Sequence, residues 1–536
     1  MIRTFFISLC VTTVTFADTW TVGVDGTTDF NSIQVAIDAA SNGDTILVMA
    51  GKYDEHNINT NGKAILIEGE TGASGALLAI IHGSWQDSVF VCNSGETNST
   101  ILKNLVITGG SSFTGGGLYI EASSPSVVGC TFLNNFATKG FGGGICAIDS
   151  ELSLVDCIFT GNIGGVGGGV YNQPEYGSVH EIRGCSFQMN QAVNGNYGHG
   201  GGLKHGSGFL QLTDCEFIEN IASGGGGGVS EFASTGLNIR NCKFMYNNAL
   251  GGGGLDTSGI GGCTIVSSSF IGNQSKTYGG GIQSSSPSLA LMNCRLSNNV
   301  AGWLGGAVTM LYADQQPAMF VNCLMDNNTA YVGATVSIHG TMATKFINTT
   351  IINNVGPGLA LQGWEGQYVQ IYNSVIWGND PISIAVDGEI GVDVQYSDIE
   401  GGWAGEGNFN ANPLIILSNG EVLLDIDSPC IDTGNISFLP SDFYDLDADG
   451  DVVELLPLDL LGGIRIRGTT VDVGPIEFQN PYCIGDLNGD AVVNVSDLLL
   501  VIDQWGNVDS PADINGDGIV NVSDLLEVVG HWGACM

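Results

Sequence analysis

Two stretches of the sequence carry oxygen ligands at a spacing that suits a metal ion. Asp486-x-Asn488-x-Asp490-x-Val492-x-Asn494-x-x-Asp497 recurs 27 residues later as Asp513-x-Asn515-x-Asp517-Gly518-Ile519-x-Asn521-x-x-Asp524. Side-chain oxygens at loop positions 1, 3, 5, 9 and 12, with the backbone carbonyl of Val492 or Ile519 at position 7, wrap a hard cation of calcium size. Gly518 fills the sharp-turn position of the second loop. Ala491 stands there in the first, which predicts a strained or weaker first site. Each loop runs into an apolar helix, expected over Asp497–Trp505 and Asp524–Trp532, and Pro481 opposes a helix before the first loop. Without the ion the carboxylates repel one another, so binding is expected to order the module. A third acidic run, Asp445-x-Asp447-x-Asp449-Gly450-Asp451, starts like such a loop but has Leu456 at position 12, and reads equally as an acidic turn or a structural ion site.

A second set of reactive side chains is dispersed. Lys204 and His205, Glu231, and Asp256 each follow a glycine run, whereas most such positions are small or apolar. Lys204 or His205 could act as a base while Glu231 and Asp256 hold calcium or supply an acid. Alternatively, Glu231 and Asp256 form the carboxylate pair of a hydrolase. The favoured reading over both is an outward polar patch with ordinary salt bridges. Nearby insertions over 173–181 and 194–199 add Tyr176, His180, Tyr197 and His199.

These residues meet only if the chain repeats, and it does. Leu105, Cys130, Cys157, Cys185, Cys215, Cys242, Ser268, Cys294, Cys323, Thr349 and Ser374 align in steps of 25 to 30 residues. Two positions on, every residue is large and apolar, with Phe132, Phe159, Phe187, Phe217, Phe244 and Phe270 consecutive. Five positions on, ten coils carry Asn, from Asn135 to Asn379, and only Gly110 departs. The residue before the Cys column is Asn, Asp or Gly in all but Ser267. Those types tolerate a left-handed backbone, so a tight corner sits there. Three short strands and three corners per coil describe an all-β, parallel β-helix whose coils bury their apolar faces only by stacking. Stacking at roughly 4.8 Å makes the Phe column an aromatic stack and the Asn column a hydrogen-bonded ladder.

The Phe-x-x-Asn and Gly-Gly-x-aliphatic pairs resemble the repeats of polymorphic outer-membrane proteins and, more broadly, the right-handed β-helix or pectate-lyase-like superfamily. The resemblance covers roughly residues 100–400. It implies a right-handed single-stranded solenoid, on which lyases, hydrolases, adhesins and scaffolds all occur. Residues 18–100 would hold a cap helix, with Phe30, Ile33, Ile37 and Ala40 on one face, and the first irregular coils; residues 101–400 the regular repeats. Residues 401–480 would close the β-helix, and 428–478 within them resemble the closing segment found after β-helices in exported proteins. Residues 483–536, a duplicated loop plus helix with Asp at position 12, resemble a type I dockerin. That resemblance implies calcium as the bound ion and a cohesin-type protein as partner, with Val495-Ser496 and Val522-Ser523 at the positions that help choose it.

Composition fits this outline. Arg3, an apolar run from Phe5 to Val14 and the small-residue site before Asp18 predict an export signal over residues 1–17. No later segment is apolar for long enough to span a bilayer. A net charge of −40, with 14 Lys plus Arg, excludes nucleic acid as a natural partner and is poor for binding anionic membranes. Of the 14 cysteines, seven stack in one column, too far apart for disulfides at the strand spacing, and read as buried thiols. Cys483 and Cys535 bracket the C-terminal module and suit a disulfide clasp. The expectation is an exported β-helix acting on extracellular polysaccharide as hydrolase, lyase or binding component. The rival is a surface or adhesive scaffold without catalysis.

Overall fold

The left-handed corner is present in every coil. All eleven residues preceding the Cys column have positive φ, from Asn373 at 47° to Gly184 at 63°. A second left-handed residue precedes each ladder Asn, and there even Met189 (53°), Glu219 (54°) and Tyr246 (57°) adopt it. A left-handed L-residue costs roughly 1–2 kcal/mol, so something adjacent must hold these corners.

The holding element is the Asn ladder. Asn220 Oδ1 accepts from the N–H and the Nδ2 of Asn190, both at 3.0 Å. Asn220 Nδ2 in turn donates to Phe187 O at 2.8 Å and to Asn247 Oδ1 at 3.0 Å. The pattern repeats from Asn135 through Asn379. Each rung therefore satisfies two donors of the preceding coil and one carbonyl that the bend would leave unpaired. Beside the ladder the six Phe rings stack face to face, 4.5–4.9 Å apart. The seven cysteines are free and buried, and their thiols face backbone carbonyls such as Val127 O for Cys157.

The computed structural model describes residues 17–311, 318–340, 343–418, 421–466, 470–478, 484–488, 492–508, 510–515 and 517–534. Its solenoid is a parallel β-helix with 15-, 14-, 13- and 8-stranded sheets. One coil runs Ser126–Val128, Thr131–Leu133, Phe136–Phe141, Ile145–Ile148, one strand in each of the four sheets. The sequence pattern predicts three strands per coil; the fourth, short one lies between the Asn corner and the glycine run. It is only two residues in Gln191–Ala192 and Asn248–Ala249, too short to show a period. The later glycines of each run let coils touch: a Cβ at Gly144 would meet Gly169 O at 2.6 Å.

Both ends are covered. The helix Ile33–Ala39, capped by Ser32, buries Ile33, Ala36 and Ile37 against the first coils. Phe30 lies outside that helix and bridges to Val22, packing with Trp20 on the core. Trp403 packs on the core at the far end. Residues beyond it fold back along the flank instead of only closing the end. The left-handed asparagines fasten this return: Asn293 donates to Asp459 O (3.2 Å), Asn322 to Leu458 O (2.7 Å) and Asn373 to Asn435 O (2.9 Å).

Replacing one rung tests the ladder. Asn247→Ala strands the donors of Asn220 and the carbonyl of Phe217, costing about 3 kcal/mol at roughly 1–3 kcal/mol per unsatisfied buried group. The urea midpoint should fall accordingly; an unchanged midpoint would show that the rung is dispensable.

Candidate functional site

Strand alternation divides the four dispersed residues into two pairs. In the 13-stranded sheet, Lys204 is in register with Ser230 and Asp256, while His205 is in register with Glu231 and Thr257. The first column faces outward and the second inward. Adjacent residues of one strand point to opposite faces, so Lys204 and His205 cannot share a surface site.

The inward pair is structural. Glu231 is buried and its carboxylate accepts from Thr257 Oγ1 (2.6 Å), Ser234 N (2.9 Å) and Gly259 N (3.0 Å). Glu96 fills the same role nearer the N-terminus, accepting from Thr60 Oγ1 at 2.6 Å and Ser123 Oγ at 2.8 Å. His205 is fully buried, 3.1 Å from Asn172 and edge-on to His180. Burial pushes His205 down to about 3 and His180 down to about 4, so both rings are neutral. The Glu231/Asp256 carboxylate pair therefore has no common surface, and His205 cannot reach an external substrate.

The outward column remains as a site. Lys204 Nζ lies 3.4 Å from Ser230 Oγ and 5.5 Å from the centre of the Phe232 ring. Burial pushes Lys204 down to about 8, against the pull of Asp256 and Glu231. Burial pushes Asp256 up to about 7, the Lys204 ammonium opposing and Glu231 adding. The Asp256 carboxylate lies over Gly225, where any Cβ would run into it. His199 Nδ1 accepts from Gly225 N at 2.9 Å, and burial followed by the Lys204 charge holds its pKa below the ordinary value. A lysine and a carboxylic acid both titrating near neutrality can exchange protons with a bound ligand. The turns before the glycine runs add exposed Tyr197, Trp303 and Tyr331, and Tyr278 packs edge-on to Trp303 at 5.6 Å. Ser230 and Phe232 are not singled out by the spacing of charged residues; the 26-residue step from Lys204 would have found Ser230.

The C-terminal loops are built alike. Asp524 Oδ1 accepts from Ile514 N (2.8 Å) and Asn515 N (3.1 Å), and Oδ2 from Asn521 N (2.8 Å). Asp497 makes the same three contacts with Leu487, Asn488 and Asn494 at the same distances. The helices run Val495–Asp503 and Val522–Gly530, starting two residues earlier than expected because Asn494 and Asn521 close capping boxes with these aspartates. Val501, Val520 and Val528 pack the two units together. In the second loop the Asn521 amide nitrogen sits 2.8 Å from Ile519 O and 3.2 Å from Asp517 Oδ2, and the Asn515 amide nitrogen also donates to Asp517 Oδ2 at 3.2 Å. With Asp513 and Asn515 beside them, this all-oxygen set fits a hard cation.

Residues 484–531 match the dockerin type I domain. Dockerin type I domains bind calcium and dock onto cohesins. Asp490 and Ala491 of the first loop, and Cys483 and Cys535 of the expected clasp, lie outside the described residues. A pairing of Val492–Val493 with Gly533–Ala534 draws the two ends of the dockerin domain together. No curated protein matches the sequence. Among solved structures, the pectate lyase Pel9A aligns with a TM-score of 0.32 at 14% identity, covering 87% of this chain and 98% of its own. A mutant of the PL6 family alginate lyase AlyGC gives 0.36 at 13% identity, covering 76% of this chain and 55% of its own. No helix among the described residues is long and apolar enough to cross a membrane.

The outward column makes a titration prediction. With its amine reductively methylated with ¹³C, Lys204 should titrate near 8, and lower still in Asp256→Asn, where the favourable charge is gone. An ordinary lysine pKa in both proteins would refute the burial of this pair. Asp256 also links stability to pH: its folded pKa is raised, so its contribution is full below about 4, the ordinary range. That contribution is lost as pH rises through about 7, and Asp256→Asn should flatten this slope in pH-dependent melting.

Proposed function

We propose that this protein is an exported component of an extracellular polysaccharide-degrading assembly. Its dockerin domain would attach it to a cohesin-type partner, and its solenoid would present Lys204 and Asp256, with Ser230 buried between them, to a glycan. The observation that carries the reading is the dockerin match over 484–531, in which two loop–helix units repeat the same backbone hydrogen bonds to Asp497 and Asp524. The metal ligands on this reading are Asp486, Asn488, Asp490, Val492, Asn494 and Asp497, then Asp513, Asn515, Asp517, Ile519, Asn521 and Asp524, with calcium the ion. Exposed Tyr197 in the coil of Lys204, and Trp303 and Tyr331 two and three coils beyond Asp256, offer flat apolar faces to sugar rings along the side that carries the charged pair.

A second reading, a non-catalytic scaffold, draws on one specific observation: the solenoid interior claims His205 and Glu231, leaving a short reactive column.

Two assays on the full chain separate these readings. Cohesin binding followed by calorimetry should require calcium and disappear with chelator or with Asp486→Ala/Asp513→Ala; binding indifferent to calcium would contradict the docking role. Incubation with neutral and acidic polysaccharides should release new reducing ends or unsaturated products, reduced at least 100-fold in Lys204→Ala and Asp256→Asn, as general acid–base catalysis contributes about 10²–10⁴-fold. Folded protein that turns over none of them would make it a scaffold.

A further inference from the structure

The returning flank segment holds a carboxylate cluster that the dockerin domain does not explain. One oxygen each from Asp442, Asp447 and Glu454 lie within 4.8 Å of one another, and Asp447 belongs to a second such trio with Asp445 and Asp449. Among the described residues, none of these carboxylates forms an ion pair with a basic side chain. Asp442 is completely buried, and its Oδ1 has no hydrogen-bond partner; nor has the buried Oε1 of Glu454. A buried charged oxygen without a partner carries its full desolvation cost. Burial, with the neighbouring carboxylates, holds both Asp442 and Glu454 above their ordinary pKa values.

We propose that Asp442, Asp447 and Glu454 form a third calcium-class cation site, separate from the dockerin loops. An oxygen-only set of carboxylates is the ligand chemistry of hard divalent cations, and a cation supplies the charge that the two unpartnered oxygens lack. Glu454 replaces the ligand that Leu456 cannot provide, because Leu456 is turned into the apolar contact with Met292, Val321 and Ile347. The site also sits where fastening matters. Arg240 of the solenoid donates to the carbonyls of Tyr444 and Asp445, and Tyr444 and Leu446 pack on the same apolar cluster. A bound ion would clamp this turn onto the coils.

The test counts calcium ions bound to the full chain by native mass spectrometry, with calcium as the sole metal. Asp447→Asn and Glu454→Gln, each at a partly or fully exposed position, should bind one ion fewer than the parent. In the Asp486→Ala/Asp513→Ala background, where the dockerin loops are disabled, one ion should remain and should vanish on adding Asp447→Asn. Calcium should also slow proteolysis within 441–456 in that background, and lose this effect in Asp447→Asn. Equal ion counts in parent and variants, or no ion in the loop-disabled protein, would overturn the site.

Discussion

Everything in the solenoid depends on keeping successive coils in one register, and the buried Asn ladder is the interaction that enforces it. Each ladder Asn accepts from the coil before it and donates to the coil after it, so a one-residue slip would strand donors and acceptors in both. The same ladder holds Met189, Glu219 and Tyr246 in left-handed conformations that their side chains disfavour. Phe stacking adds apolar burial but little direction: beyond Phe270 the column changes to Leu296, Met325, Ile351 and Ile376 while the ladder continues to Asn379. Hydrogen bonding sets the register, and apolar packing fills the volume it encloses.

A rigid register also decides which side chains can do chemistry. Because strands alternate, each charged residue introduced into a coil is committed to the interior or to the surface. Glu231 and His205 were committed inward, where backbone and side-chain donors or neutral partners satisfy them. Lys204 and Asp256 were committed outward, two rungs apart over a bare glycine corner, where partial burial brings both toward neutrality. The left-handed asparagines serve twice, shaping the corner and then anchoring the segment that returns along the flank.

Legibility in the sequence followed from repetition. The corners, the Phe stack, the Asn ladder and the unpaired cysteines could be read because eleven coils state each position repeatedly. The dockerin loops were legible because their residue spacing occurs twice. Features present once were not: the return of residues beyond 401 along the flank depends on tertiary contacts such as Leu456 with Val321. The inward turn of Glu231 was readable in principle, since it lies two residues after buried Val229, but clustering by charge overrode alternation. The third acidic run was ambiguous because its last partner, Glu454, falls outside the usual loop spacing and Asp442 precedes it.

On the proposed function, a glycan meets the outward face carrying Lys204 and Asp256 and no other sheet. Hydrogen–deuterium exchange of the full chain with a bound oligosaccharide tests it most directly. Protection should be confined to strands Leu203–His205, Val229–Phe232 and Leu255–Ser258 and the turn at Gly195–Tyr197. Protection centred on the 15-stranded sheet, or none from an oligosaccharide shown to bind, would contradict it.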